Sequence, residues 1–515
     1  METGSRNARA EVEAALATGA GLQTVLVERL RVSPKHAALL EAAVTGLGVF
    51  LEEQLLEEHT ALDDEKLSME AVMRLVGPVV QSRLQRRLEM LDGKQRNTAV
   101  RCIDCNKPCR SIGFRDRKFR CLGGAIVVRR RVFECTVCPR HHSPSERIMG
   151  LGSGDFTPRL DELCSLHATT VSHEMASYLL KKTINLDVSP SGLQRLVERR
   201  GRIVEAQNEQ EAVAQRAFLP DGTPRRLPPI PGVAGPRVAY LEVDGVLPMT
   251  REPVPESELT SEDKVKQAKA KLAKIGGGAG RRYRLQGREV KNAVMYAAEA
   301  CALVGETRGT LLDKHYVSYL GEASVFTKRV WAGLRARGYD QAKTLVILSD
   351  GAEWIRTLSS QLPVEKVVLI LDLFHAKHRV WEVANAVFGE DTPEARAWAA
   401  EQNGRIENGR ADDVVNALRF MKPGRKNAAE LVGSLSTYIT NNLDRMDYPT
   451  YLEQGFRIGS GAVESANYHV TGARLKLQGM RWSVDGAAEM ASLRADLFND
   501  RWEARTRAIL SGMAA

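Results

Sequence analysis

The chain has 515 residues, of which 43% are hydrophobic and 27% are charged, a balance typical of globular proteins with sizeable cores. Its length predicts three or four domains, and no apolar run reaches the roughly 18–20 residues that a membrane-spanning helix requires. The N-terminus lacks the basic start and apolar core of a signal peptide, so we expect a cytoplasmic protein.

The formal net charge of +9 is concentrated in two segments. Residues 101–150 contain twelve Arg or Lys and four Asp or Glu, and residues 261–291 contain ten basic and three acidic residues. Such concentrated positive charge favours a polyanionic partner, most often nucleic acid. The alternative is a solvated basic face without a ligand.

Residues 1–98 show the apolar spacing of helices, for example at Leu51, Leu55 and Leu56. No pattern in this segment indicates chemistry. It predicts an N-terminal helical domain that serves as a scaffold or an interaction surface.

Two CxxC pairs flank a predicted β-hairpin in residues 99–149. The strand-like runs cover residues 118–121 and 125–133 and are joined by Gly-Gly. Four thiolates at this spacing predict a zinc ribbon with a structural Zn²⁺, because disulfides are disfavoured in the cytosol. The predicted ligands are Cys102, Cys105, Cys135 and Cys138. Cys109 and Cys121 leave open which four cysteines bind, since Cys105 and Cys109 form an alternative pair.

Residues 150–212 predict a helix-turn-helix DNA-binding domain with helices beginning near Thr157, Ser172 and Ser189, each of which has capping chemistry. The third helix would be the recognition helix, and the alternative is a plain three-helix packing unit. The residues predicted to face the core are Val188, Leu193, Leu196 and Val197. The residues predicted to contact DNA are Arg129, Arg130 and Arg131 on the second ribbon strand, and Gln194, Arg195 and Arg199 on the third helix, where Ser191 would also point outward.

A Pro- and Gly-rich linker at residues 213–236 precedes an α/β region at residues 237–390. Residues 391–450 are polar and helical and have no strand pattern, which indicates a helical insertion. Residues 451–515 would complete the α/β domain and end in a helix. The predicted fold is therefore a multidomain chain with a mixed α/β domain at its C-terminal end.

Three carboxylates are candidates for a common site. Two apolar strands end in Asp-Gly, at Asp244 and Asp350, and a helix downstream presents Glu464 after Gly-Ser-Gly. Ligands of open α/β sheets bind at strand ends, and three converging carboxylates would hold Mg²⁺ or Mn²⁺. Two such ions can activate a nucleophile and stabilise a leaving oxygen at a phosphodiester. Glu242, two residues earlier on the same strand face, is a rival ligand.

Each of these acids also has a purely structural interpretation. Asp244 with the following glycine can be a turn, and Asp350 can cap the next helix with Glu353 completing a capping box. Glu464 can simply complement the positive end of a helix dipole. Spacing alone does not decide between these interpretations and the metal site.

Four segments, EVDGV, ILSDGAEWI, LDLFHAKHRVWE and GSGAVESANYHVTGARLKLQGMRWS, follow one another in this order. They resemble the DDE transposases of bacterial insertion sequences, in particular the ISKra type, over roughly residues 100–500. The resemblance implies an RNase H-like catalytic domain, interrupted by the helical insertion, with two Mg²⁺ or Mn²⁺ ions per active site. It implies that the catalytic, metal-binding triad is Asp244, Asp350 and Glu464.

The resemblance also assigns roles around the triad. Asp372 and His375 match an acidic-x-x-His motif that lies near the site without supplying ligands. Taken alone, this pair can equally be a helix start with a packed histidine. Arg474, Lys476 and Arg481 would contact DNA.

The sequence therefore predicts a DDE transposase that binds the terminal repeats of an insertion sequence and cleaves and joins DNA strands. We expect a nucleoid-associated protein that forms a dimer or larger homo-oligomer on DNA. One alternative is an RNase H-like structure-selective nuclease, which would hydrolyse DNA without joining strands. Another is a non-catalytic DNA-binding regulator derived from a transposase, which would usually have lost one of the three acids.

Overall fold

The computed structural model describes most of the chain from residue 61 onward. The described ranges are residues 61–94, 99–152, 154–215, 227–272, 282–304 and 308–514, with a few single residues between 34 and 45. Most of the helical domain predicted at residues 1–98 therefore lies outside the described residues. Contacts divide the chain into two compact units, Met1–Val197 with Glu503–Ala515, and Glu198–Trp502.

A long antiparallel hairpin is the centre of the first unit. Strand β1 (Cys109–Cys121) pairs with β2 (Gly124–Cys135), and the short β3 (His141–His142) pairs with the end of β2. Both long strands extend further than the apolar runs predicted, because the pairing continues through polar positions down to Cys109 and Cys135. The inner face of the hairpin is buried at Phe119, Ile126 and Val128.

Helix α1 (Ala61–Lys94) covers the outer edge of β2. The side-chain oxygens of Gln81, Gln85 and Asp92 accept hydrogen bonds from the backbone N–H groups of β2 at 3.3, 2.8 and 3.1 Å. An exposed strand edge is a template for unwanted pairing. Here helix side chains satisfy the edge donors in place of another strand.

Four helices follow the hairpin, and the last three of them begin where the sequence predicted them. Ser172 and Ser189 cap two of these helices by accepting hydrogen bonds from Met175 and Gly192, whereas Thr157 makes no such bond. The four residues predicted to face the core are all buried. The helices are α2 (Pro144–Ile148), α3 (Pro158–Thr170), α4 (His173–Ile184) and α5 (Pro190–Ala214), of which α5 continues into the second unit.

A five-stranded mixed sheet is the centre of the second unit. Its strands are β4 (Val238–Val246), β7 (Val290–Ala297), β10 (His315–Leu320), β11 (Thr344–Ser349) and β12 (Val367–Leu371). Their order is β10-β7-β4-β11-β12, in which β10, β7 and β4 are antiparallel and β4, β11 and β12 are parallel. The predicted mixed α/β character of this region is confirmed.

Apolar side chains cover both faces of this sheet. Alternate residues of a strand point to opposite faces, so Tyr240 packs into one core while Leu241 packs into the other. The middle of β11 is a continuous apolar run because Val346 and Leu348 enter the first core, and Leu345 and Ile347 enter the second.

The remaining elements surround the sheet. Helices α7 (Ala323–Ala336) and α8 (Trp354–Ser360) pack on one face. The other face is covered by α9 (Leu373–Phe388), α10 (Pro393–Glu407), α11 (Ala411–Phe420), α12 (Lys426–Asn442) and α13 (Tyr448–Glu453). Residues 391–450 are thus helical, as predicted. There are also two small antiparallel sheets. One pairs β5 (Met249–Pro253) with β6 (Tyr283–Gly287), and the other pairs β8 (Cys301–Val304) with β9 (Arg308–Leu311). Helix α6 (Ser261–Leu272) lies between β5 and β6 along the chain.

The C-terminal part of the chain is helical. It contains α14 (Gly461–Ala466), a π-helical segment (Asn467–Gly472), α15 (Ala473–Leu475), α16 (Val484–Phe498) and α17 (Trp502–Ala514). Across the described residues, none of the helices is both long enough and apolar enough to cross a membrane.

Candidate metal centres and nucleic-acid interface

The four predicted cysteine ligands come together beside the open end of the β1–β2 hairpin. Their sulfur atoms all lie within 4.8 Å of one another, with 3.6 Å between Cys102 and Cys138 and 3.5 Å between Cys105 and Cys135. A tetrahedral site with Zn–S distances of about 2.3 Å places neighbouring sulfurs roughly 3.8 Å apart. The cluster is therefore compatible with a structural zinc ion.

The backbone of the second CxxC pair favours the thiolate that binds metal. The N–H groups of Cys138 and Val137 each lie 3.5 Å from the sulfur of Cys135 and lower the pKa of this thiol to about 6. Cys109 and Cys121, which the sequence left as alternatives, do not belong to the group of four. The structure adds a neighbour that the sequence did not indicate, because His142 Nε2 lies 3.1 Å from the sulfur of Cys102.

Asp244 and Asp350 lie at the same level beside each other on two adjacent parallel strands. Ser349, the last residue of β11, pairs in register with Val243 on β4, and the next residue along the chain is an aspartate in both cases. The prediction that both strands end at Asp-Gly is correct for β11 only, because β4 continues to Val246 and pairs Asp244 with Asn292. Burial raises the pKa of Asp244, and the nearby charge of Asp350 raises it further. A cation bound beside Asp244 would offset this unfavourable effect on its negative charge.

The backbone around Asp350 is held from two directions. Its carboxylate accepts a hydrogen bond from the N–H of Ala352 at 3.1 Å, and its carbonyl accepts one from the hydroxyl of Tyr438 at 2.9 Å. Gly351 has a φ of +95°, and a Cβ there would lie 2.8 Å from Leu371, so only glycine fits. The capping box with Glu353 is wrong, because Glu353 itself is the N-cap of α8 and makes no side-chain capping bond.

Glu242 is a buried support and does not face the solvent as a ligand. Its side chain is 1% exposed and accepts hydrogen bonds from the hydroxyl of Tyr296 at 2.5 Å and from the N–H of Val463 at 2.9 Å. Burial raises its pKa to about 7. The first N–H groups of a helix lack partners within the helix, so Glu242 satisfies one at the start of α14.

Asp372 follows β12 and supports the same helix start. Its carboxylate is 0% exposed and accepts hydrogen bonds from the N–H groups of His375 at 2.6 Å and Ser460 at 2.5 Å. Asp372 is thus the N-cap of α9, as the helix-start interpretation predicted. Its second bond fixes the Gly-Ser-Gly segment, where a Cβ on Gly459 would lie 2.6 Å from the ring of Phe374.

Glu464 is exposed on α14 and lies beside Asp372 and His375. One potential metal-ligand atom from each of these three residues lies within 4.8 Å of those of the other two. His375 Nδ1 is 3.6 Å from Asp372 Oδ1, and Glu464 is exposed. Within the described ranges, the predicted set of Asp244, Asp350 and Glu464 does not form a group this compact. The structure therefore joins Asp244 with Asp350, and Glu464 with the Asp-x-x-His pair.

Sequence reasoning missed an asparagine that reaches Asp244. Asn467, three residues after Glu464, donates its amide to Asp244 Oδ2 at 2.5 Å and accepts a hydrogen bond from Asn292 at 2.7 Å. Residues three apart on a helix share a face, so this spacing could have identified Asn467. No sequence signal indicates Asn292.

The basic residues predicted to contact DNA differ in their exposure. Arg129, Gln194, Arg195, Lys476 and Arg481 are exposed, and Arg131 and Arg199 are partly exposed. Ser191 is also exposed at the start of α5. These side chains remain candidates for phosphate contacts.

Two of the predicted DNA contacts are wrong. Arg474 is 0% exposed and its guanidinium stacks 4.9 Å from the ring centre of Trp482, so it is a core residue. The side chain of Arg130 is 17% exposed and forms an ion pair with Glu146 at 2.7 Å. It points to the inner face of the hairpin because alternate strand residues face opposite sides.

No family model and no curated protein matches this chain.

Proposed function

We propose that this protein is a DDE transposase of a bacterial insertion sequence, similar to the ISKra type. The observation that carries the proposal is the shared level of Asp244 and Asp350 on adjacent parallel strands. We assign Glu464 to the same site because Glu242 on β4 and Asp372 after β12 both accept hydrogen bonds from the start of its helix. In this proposal the three acids, which come from distant segments, act together at one edge of the sheet, where ligands of open sheets bind.

The order of the sheet supports an RNase H-like catalytic domain. The first three strands of this sheet along the chain, β4, β7 and β10, are antiparallel neighbours. The last two, β11 and β12, add in parallel on the other side of β4. A mixed five-stranded sheet of this kind is compatible with the RNase H-like domain that the resemblance implies. The helical segment between Asp350 and Glu464 would be the insertion that the resemblance implies.

In this proposal Asp244, Asp350 and Glu464 hold two Mg²⁺ or Mn²⁺ ions through oxygen ligands, which suit these cations. The ions would activate a water or a 3′-hydroxyl and stabilise the leaving oxygen of the phosphodiester. The protein's own contribution is to hold three negative side chains at one place. A bound cation would relieve the repulsion by which Asp350 raises the pKa of Asp244.

The first unit would bind the ends of the element. We assign the four-cysteine cluster to a structural Zn²⁺ in a zinc ribbon, and helices α3 to α5 to a helix-turn-helix that reads the terminal repeats. Arg129 on the ribbon, and Gln194 and Arg195 on α5, are exposed for this role. Lys476 and Arg481 would hold DNA near the acids. A homo-oligomer would bring two ends together.

The test incubates the full chain and Mg²⁺ with a labelled duplex that carries the DNA flanking its own gene, together with a supercoiled target plasmid. We expect label to be nicked at the element end and joined to the plasmid. Asp350→Asn and Glu464→Gln should abolish both steps, whereas Asp412→Asn, at an exposed acid of α11, should not.

Each result has a distinct meaning. Cleavage without joined product would replace the transposase with a structure-selective nuclease. Specific binding of the duplex without cleavage by the wild-type protein would favour a DNA-binding regulator. Cleavage that survives Asp350→Asn would overturn the assigned site.

A further inference from the structure

We infer that Asn467 is a positioning residue that fixes the carboxylate of Asp244 for metal binding and ties it to the helix of Glu464. This inference rests on the proposed function, because it concerns the same metal site. It assigns a role to a residue that is not an acid and does not itself belong to the predicted triad.

Both oxygens of Asp244 accept hydrogen bonds, and together these set the orientation of the carboxylate. Oδ1 accepts from the backbone N–H of Gly245 at 2.7 Å, and Oδ2 accepts from the side-chain amide of Asn467 at 2.5 Å. The first bond is local, because Gly245 is the next residue and its N–H moves together with Asp244. It does not fix the carboxylate relative to other elements. The second reaches it from a helix 223 residues away along the chain.

Asn467 is itself oriented by a buried network. Its oxygen accepts a hydrogen bond from Asn292 at 2.7 Å, and the oxygen of Asn292 accepts from the hydroxyls of Ser318 at 2.6 Å and Thr471 at 3.0 Å. Asn292 lies opposite Asp244 in the β4–β7 pair and opposite Ser318 in the β7–β10 pair. The network therefore crosses three neighbouring strands at one level and continues onto the helix.

The chemistry of this position requires an amide. Asn467 must donate to a carboxylate and accept from an amide, and asparagine offers both functions in one short side chain. Aspartate would place a second negative charge against Asp244. An apolar residue would leave the amide of Asn292, a residue that is 1% exposed, without an acceptor.

The helix geometry links this bond to the third acid. Asn467 begins the π-helical segment that continues α14, and Glu464 lies three residues before it. π-helical segments are rare and occur frequently at functional sites. Since Asn467 anchors this helix to Asp244, loss of its bond would loosen the first and third acids together. Partners that orient metal ligands typically contribute roughly 10–100-fold to metal affinity or activity.

The experiment measures Mn²⁺ binding to the full chain without DNA by isothermal titration calorimetry, and the Mg²⁺ concentration that half-saturates strand cleavage. We expect Asn467→Ala to raise both the Mn²⁺ dissociation constant and the half-saturating Mg²⁺ concentration roughly 10-fold or more. Excess Mg²⁺ should restore part of the cleavage rate. Asn292→Ala should act in the same direction with a smaller effect. Asn427→Ala, at an exposed site on α12, is the matched control and should change neither quantity.

A purely structural role would lower the folded fraction, which thermal unfolding reports, without moving the metal dependence of the folded molecules. If Asn467→Ala does not fold, Asn467→Ser keeps a polar side chain and permits the same measurements. Wild-type metal affinity in either folded variant would overturn the inference, while loss of Mn²⁺ binding by Asp350→Asn would leave the proposed function standing. Mn²⁺ binding that is absent from the wild type, or that is unaltered by Asp350→Asn, would overturn the proposed site and the inference with it.

Discussion

The carboxylate of Glu242 accepts a hydrogen bond from the backbone N–H of Val463 at 2.9 Å, across 221 residues of chain. The same carboxylate accepts a hydrogen bond from the hydroxyl of Tyr296 at 2.5 Å. A buried acid on the central strand thus supports the helix that carries Glu464. The position of the exposed acid depends on an interior one.

Replacing Glu242 by glutamine separates this support from simple packing. The amide has one acceptor oxygen in place of two, so either the hydroxyl of Tyr296 or the N–H of Val463, which also donates to the carbonyl of Ser460 at 3.1 Å, loses its bond to this side chain. A lost buried hydrogen bond costs about 1–3 kcal/mol. We expect Glu242→Gln to lower the free energy of unfolding by that amount and to reduce strand cleavage. Urea unfolding and the cleavage assay measure the two effects. Glu299→Gln, at an exposed acid, should stay within about 0.5 kcal/mol of wild type, and equal stability of the two variants would contradict the role of Glu242.

The cysteine cluster gives a prediction with an internal control. Cys135→Ser should lose bound zinc and weaken binding to end DNA while the second unit stays folded, because structural zinc stabilises mainly its own module. Cys109→Ser should keep its zinc, since Cys109 is outside the group of four. Metal content of the purified variants, measured by mass spectrometry, checks both expectations. Zinc retained in Cys135→Ser, or lost from Cys109→Ser, would require a different ligand set.

The sequence predicted the strands of the acids because buried strands are continuous apolar runs, but it ended β4 at Asp244, two residues before the strand ends at Val246. It predicted the cysteine group because ligands of one metal recur at short, regular spacing. It could not predict that Arg474 is buried or that Arg130 forms an ion pair, because the exposure of an arginine side chain depends on which residues the fold brings next to it. Asn467 and Asn292 are 175 residues apart, and their hydrogen bond exists only through tertiary packing.

Arg129 and Arg130 test the two faces of the ribbon hairpin. Arg129 is exposed, so Arg129→Ala should flatten the dependence of log affinity for end DNA on log salt concentration by up to about 0.9. Arg130→Ala should leave that slope unchanged and destabilise the first unit by about 1–3 kcal/mol, because buried Glu146 loses a charged partner. Fluorescence anisotropy at several salt concentrations measures the slopes. A flatter slope for Arg130→Ala alone would reverse the assignment of the faces.

His315 makes stability depend on pH in the second unit. Burial, followed by the charges of Arg501 and Arg337, lowers its pKa to about 4 from an ordinary value near 6.5. Between these values the unfolded chain binds more protons than the folded one. The contribution of His315 to the free energy of unfolding is therefore complete above about pH 6.5 and is lost as the pH falls to 4. The loss amounts to at most about 3 kcal/mol. His315→Gln should flatten the fall in Tm over this range, and the exposed His378→Gln should not; parallel curves for wild type and His315→Gln would contradict the prediction.

Asp350 is the residue at which the metal-ligand and structural interpretations diverge most clearly. Asp350→Asn keeps the size of the side chain and an oxygen that can accept from Ala352, so the fold should be nearly unaffected. The negative charge that would hold a cation is lost, and strand cleavage and joining should fall by orders of magnitude while affinity for end DNA changes by only a few-fold. The structural interpretation predicts the opposite pattern: Asp350→Ala would lose about 1 kcal/mol of stability and keep most of its activity. Assaying both variants beside Glu464→Gln, with unfolding measured on the same preparations, distinguishes the metal-ligand interpretation from the structural one. Normal cleavage by Asp350→Asn would remove this residue from the triad and with it the main support for a transposase.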